Sequence, residues 1–257
     1  MNSRLVISYW LLVFFSLIVF SACKKDDSPI SLQQYISENP TLFPFNELIA
    51  CAAGGQSGFL EDSNAPLNMF LYPLPNATDF KYYETQNSTD DPTDLNLFFE
   101  KEIEDVEIFN GFLRRYPLPP PTKDVWGRVS FIANDTLWYC KPVRYKTIEK
   151  PSQYAPELCE IDLTEPINPI FNWQDGTADD NIIYFQVISD ENGNALSGTY
   201  TTERNFQFYE LGNVVLNVTP PNSTPMLESG ETYDFTLMGV SADNWVNLIM
   251  DKTFIAQ

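Results

Sequence analysis

From residue 50 onward the chain is written in short apolar or alternating runs, each stopped by a cluster of Gly, Pro, Asn or Asp. No window there supports an amphipathic helix longer than two turns. Strand-length runs bounded by turn residues bury an apolar face by pairing into sheets, and many of them in series predict packed sheets. Residues 68–74, 79–84, 94–100, 125–133 and 136–145 read as strands, with Asn134-Asp135 turning the last two into a hairpin. Residues 170–173, 205–210 and 213–219 read the same way, and 181–189 is a longer, nearly continuous apolar strand. In 233–237 the alternation is clean: Tyr233, Phe235 and Leu237 share one face, Asp234 and Thr236 the other. Hydrophobic residues at 44% and aromatics at 14% suffice for packed cores and exclude global disorder. Pro151, Pro156, Pro166 and Pro169 crowd into one stretch and mark a boundary. The expected fold class is all-β, with two tandem β-sandwich domains over 45–160 and 161–257.

Charge and composition exclude several functions. A formal net charge of −20 repels nucleic acid, whose binding depends on Lys and Arg neutralising phosphates. The chain has no histidine, which removes Ser-His-Asp and Cys-His nucleophile arrangements, histidine zinc sites and histidine acid–base catalysis.

The amino terminus reads as an address. Arg4 precedes an apolar run over 5–20 that ends in Ser21 and Ala22, the pattern of a secretory signal over 1–22. As a helix that run spans about 24 Å, short of the roughly 30 Å of a bilayer's hydrocarbon. Phe20-Ser21-Ala22-Cys23 resembles the lipobox of bacterial lipoproteins, with Phe20 in place of the more usual Leu. The resemblance implies that Cys23 carries a covalent lipid and becomes the first mature residue. Two or more acyl chains anchor stably where one is marginal. A plain signal peptide and a membrane anchor are the alternatives. Lys24, Lys25, Asp26 and Asp27 then resemble the acidic export signal of Bacteroidota surface lipoproteins, against the alternative of an ordinary charged tether. That likeness implies an outer-membrane protein facing the cell exterior. Residues 23–44 read as lipidated Cys and tether, with room for a short helix over 30–37. Leu32, Tyr35, Leu42 and Phe45 are too apolar for a purely solvated linker.

In the C-terminal half, Leu227, Gly230 and Tyr233 followed by alternating apolar residues resemble the sixth strand and tyrosine corner of fibronectin type III domains. Trp173 and Tyr184 match that family's core tryptophan and tyrosine, and the likeness spans about 165–257. The mature chain also resembles a group of exported Bacteroidota lipoproteins in the stretches 48–52, 109–113, 126–129, 206–217 and 235–247. That group supplies a location and no chemistry.

With Cys23 lipidated, Cys51, Cys140 and Cys159 remain, an odd number that allows one bridge at most. Cys140–Cys159 is the candidate bridge, worth about 3 kcal/mol if formed, and three buried thiols is the alternative. Gly54-Gly55-Gln56-Ser57-Gly58 lacks nucleophile-elbow spacing and any base for Ser57, so it reads as a loop. Glu100, Glu102, Glu104, Asp105 and Glu107 carry the residue types of a glycosidase pair, but an acid-rich run reads first as a solvated strand face. Asp175, Asp179 and Asp180 are weak calcium candidates, since Asp-Gly turn chemistry explains them as well. Trp126, Trp138 and Trp245 are candidates for a sugar-stacking platform, against ordinary strand packing. No metal and no cofactor beyond the lipid is expected. The sequence reads as a surface-anchored, non-enzymatic adhesion or envelope scaffold module whose partner is a protein or glycan. Glycan capture beside a polysaccharide-uptake system is the alternative.

Overall fold

The computed structural model describes residues 29–55, 66–120, 122–221 and 225–257. The signal over 1–22, Cys23 and the export residues Lys24, Lys25, Asp26 and Asp27 lie outside the described residues.

A short helix, α1 (Leu32–Glu38), opens the described chain; the Ser31 hydroxyl caps it by accepting from the Gln34 amide at 3.1 Å. Ten strands follow: β1 (Phe43–Leu48), β2 (Ala50–Gly54), β3 (Leu67–Leu71), β4 (Thr78–Glu84), β5 (Phe99–Lys101), β6 (Val106–Ile108), β7 (Leu113–Leu118), β8 (Trp126–Ala133), β9 (Thr136–Cys140) and β10 (Val143–Arg144). They form two sheets. One runs β1-β9-β8-β4-β5, with β10 also on β8; the other runs β2-β3-β7-β6. The second group is β11 (Gln153–Tyr154), β12 (Cys159–Asp162), β13 (Ile170–Trp173), β14 (Asn181–Asp190), β15 (Ala195–Thr201), β16 (Asn205–Gln207), β17 (Val214–Asn217), β18 (Thr232–Ser241) and β19 (Val246–Ile255). It too forms two sheets, β12-β13-β16 and β11-β19-β18-β14-β15-β17. The protein is therefore all-β with two sandwiches, as its punctuation predicts.

The sandwiches are not beads on a string. Strand alternation sends successive side chains to opposite faces, and here the central strands of both inner sheets are buried on both. On β3, Leu67, Met69 and Leu71 enter the core of the first sandwich, while Phe70 points to a third core shared with the second. On β14, Tyr184 and Ile188 enter the second sandwich, while Phe185 and Val187 meet Phe70 and Leu113 in the shared core. A strand buried on both faces reads as a continuous apolar run, which is why 181–189 lacks polar alternation. The layers stack in the order β1-to-β5 sheet, β2-to-β6 sheet, β11-to-β17 sheet, β12-to-β16 sheet.

The outer face of the first sheet carries a fourth, smaller core. Leu32 of α1 packs with Tyr83 and Phe98, so this part of the tether region is docked. Arg128, from β8, lies beneath them with its guanidinium 4.8 Å from the Phe98 ring, donating to the carbonyls of Cys140 and Pro92. Hydrogen bonds also stitch the two sandwiches at one end. The Ser152 hydroxyl donates to the Val246 carbonyl at 2.6 Å and accepts from the Gly54 amide at 3.0 Å. Gly55 makes that approach possible: its φ is 108°, and a Cβ there would sit 2.3 Å from Pro151 Cβ.

Candidate functional site

The seam between the sandwiches leaves an apolar cleft of about 240 Å³. It is lined by Ile49 and Cys51 from one sandwich and by Phe185, Tyr200 and Leu216 from the other. Phe185 and Tyr200 are cross-strand partners on β14 and β15, and their rings stack with centroids 4.5 Å apart. Leu216, opposite Tyr200 on β17, remains 41% exposed at the mouth. Lys141 and Glu47, also lining the cleft, form an exposed ion pair at 3.3 Å. Burial, reinforced by the nearby Cys140 thiol, pushes the Cys51 thiol up to about 12, so it is not a thiolate at neutral pH. The cleft can enclose an apolar group; its one thiol is held in the unreactive form.

The candidate residues are placed as follows. Cys140 lies in the first sandwich's core and Cys159 in the second's, and both are free thiols. Each core holds its thiol as a small buried hydrophobe, the alternative to the candidate Cys140–Cys159 bridge. Burial raises each to about 11.

Trp126, Trp138 and Trp245 are not brought to one surface. Trp138 is the cross-strand partner of Phe131 and packs toward the first core, whereas Trp126 packs on the opposite face beside α1. Trp245, from the β18–β19 turn, is 0% exposed inside the first sandwich's core, with its indole N–H donating to the Lys150 carbonyl at 2.9 Å.

The aspartates of the 175–180 loop are occupied by protein partners. Asp175 accepts from the Tyr184 hydroxyl at 2.6 Å and the Asn181 amide at 2.9 Å, and pairs with Arg204. Asp180 pairs with Lys150 at 2.6 Å and accepts from Asn247 at 2.7 Å, while Asp179 is exposed. Among the described residues no three Cys, Asp or Glu side chains are grouped to hold a metal. In the acidic run, Glu100 pairs with Lys81 at 2.7 Å, and Asp105 and Glu107 both pair with Arg114. Ser57 lies outside the described residues. No described helix is long and apolar enough to cross a membrane.

Sequence reasoning missed the cleft because its walls come from strands far apart in the chain. The one signal was the unbroken apolar character of 181–189, which announced a second buried face.

The second sandwich has the fibronectin type III-like corner its sequence predicts: the Tyr233 hydroxyl accepts from the Glu228 amide at 2.9 Å. Trp173 and Tyr184 meet edge to face at 5.4 Å in its core. These features belong to an all-β double sandwich. No family model matches the chain, and no curated protein matches it. Among solved structures it is similar to the crystal structure of the chicken CNTN1 FN1–FN3 domains, at 12% identity and a TM-score of 0.29, over 84% of this chain and 68% of that one. The sandwich assignment rests on the strand pairing described above.

Proposed function

We propose that the chain is a non-enzymatic interaction module of the cell envelope, anchored by lipid on Cys23 and facing outward from the outer membrane. The observation that supports the interaction role is the seam cleft: an apolar recess, partly open, on a scaffold whose four layers hold its walls in place. Preorganised apolar recesses bind by burying a partner's side chain, and need no titrating group to do so. The address rests on the lipobox and the acidic residues that follow Cys23.

Photo-crosslinking on intact cells, from a probe placed beside the cleft, tests the role. A discrete envelope partner crosslinks to the wild type and is lost from Ile49→Asp, with thermal melts and membrane fractionation run alongside to check that the variant is folded and membrane-bound. Identical crosslinking by both chains would overturn the cleft as the binding surface. Cys23→Ala is expected to release the protein from membranes; if radiolabelled palmitate still entered that variant, the anchor would be elsewhere.

A further inference from the structure

A second recess, of about 320 Å³, is walled by Tyr72, Asn76, Phe80, Phe112 and Arg114 of the first sandwich and by Pro221, beyond β17, of the second. Its size is at the low end for small-molecule sites. The aromatic walls are held by their neighbours. The Tyr72 and Phe112 rings meet edge to face at 5.6 Å, and the Arg114 guanidinium lies 4.4 Å over the Phe80 ring. Arg114 is the one charged side chain among the described residues that line the recess. Asp105 and Glu107 both pair with it, so its position is fixed and its charge is already met. The backbone offers little to a ligand. Pro73, Pro75, Pro220 and Pro221 have no amide hydrogen. The amides of Tyr72, Ala77, Gly111 and Phe112 are spent on the carbonyls of Ile49, Leu74, Ile108 and Phe109. Two side-chain groups remain, the Tyr72 hydroxyl and the Asn76 amide, and neither has a hydrogen-bond partner among the described residues. Asn76 is exposed in a turn, with its φ at 62°.

We infer that this recess binds an uncharged saccharide. Other ligand classes each meet an obstacle on these walls. An anion gains little from a guanidinium that two carboxylates already share, and a cation finds those carboxylates committed to Arg114. A wholly apolar group would strip water from the Tyr72 hydroxyl and the Asn76 amide and give nothing back. A peptide strand needs a row of free backbone donors and acceptors, and the amides here are absent or spent. A sugar ring has what the walls ask for. Its C–H face packs on an aromatic ring, as apolar surface does, and its hydroxyls project from the edge. Each hydroxyl both donates and accepts, as do the Asn76 amide and the Tyr72 hydroxyl. The clamped guanidinium and the prolines keep the walls in place before the ligand arrives, which lowers the entropy lost on binding.

Isothermal titration of the full chain, in a detergent without a sugar headgroup, tests this. The probes are neutral hexasaccharides of glucose, mannose, galactose and xylose; a galacturonate hexamer, a chitosan hexamer and a proline-rich peptide are the comparisons. At least one neutral probe is expected to bind, with an affinity that added salt leaves unchanged because no ion pair forms. Tyr72→Phe deletes the hydroxyl and keeps the ring. Asn76→Gly deletes the amide and keeps the left-handed backbone, which glycine adopts freely. Each should weaken binding roughly tenfold, with thermal melts run alongside to check that the variants are folded. No binding of any neutral probe, or binding that both variants leave unchanged, would overturn the inference. So would tighter binding of the galacturonate, the chitosan or the peptide. The recess shares no lining residue with the seam cleft, so failure of saccharide binding with cleft crosslinking intact would leave the proposed function standing.

Discussion

Single residues here act through one well-placed atom. Tyr233 contributes its ring to the second core, beside Phe254, and its hydroxyl to the Glu228 amide. Tyr233→Phe keeps the ring and strands the amide, so it should cost about 1–2 kcal/mol in equilibrium denaturation. Carboxylates set the acid limit. Burial works against ionised Asp243, but Lys146 at 2.7 Å and the Ser241 hydroxyl overcome it and hold the group below the usual carboxylate range. The stability this supplies is full above the unfolded carboxylate range and is lost as pH falls through the lowered folded value. Asp251 is opposite in sign: burial, then the nearby Asp234 carboxylate, raises it. The folded state is therefore weakened as pH rises and Asp251 ionises. Asp251→Asn should raise Tm at neutral pH, with the gain vanishing at acid pH where the wild-type group is protonated as well. A gain that persisted unchanged at low pH would contradict this. Tyr233 was legible from its spacing to Leu227 and Gly230; Asp251 was not, because its surroundings come from the neighbouring strand.

At the scale of elements, the sequence marked where strands start and stop better than what covers them. Residues 136–145 read as one strand and are two, β9 and β10, because Pro142 lies between them and has no amide to give a ladder. The helix in the tether region was foreshadowed by Leu32 and Tyr35, whose apolar character needed a surface to cover. Strand β8 shows how tightly an element can be fitted. A Cβ on Gly127 would lie 1.9 Å from the Tyr145 hydroxyl oxygen, and that hydroxyl donates to Tyr82 at 3.0 Å, which in turn donates to Glu84 at 3.1 Å. Gly127→Ala must displace a fully buried tyrosine and its hydrogen-bonded partner, and should destabilise by about 1–3 kcal/mol. Thermal melts of that variant alone and with Tyr145→Phe separate the causes: the double variant remains as weak if the lost space dominates, because the phenylalanine ring still collides.

For the whole molecule, the two sandwiches form one body because their facing sheets share a core and the second places Trp245 in the core of the first. The sequence pattern established two sandwiches and left their relation open, since period-two alternation says which face is apolar and not what lies against it. Only the unbroken run over 181–189 hinted that both faces are buried. The fusion explains why Trp245, in a turn of the second sandwich, is lost as a sugar-stacking surface: it fills the first sandwich's core. It also explains why an apolar cleft exists at all, as the place where the shared core reaches the surface.

Equilibrium unfolding of the full chain, followed by hydrogen exchange in both sandwiches, tests that claim most directly. The account predicts a single transition in which strands of both sandwiches open together. Trp245→Ala should lower the stability of both by about 3–5 kcal/mol, although the residue belongs to one. Two separable transitions, with Trp245→Ala shifting only one of them, would show that the sandwiches are independent and would contradict the account.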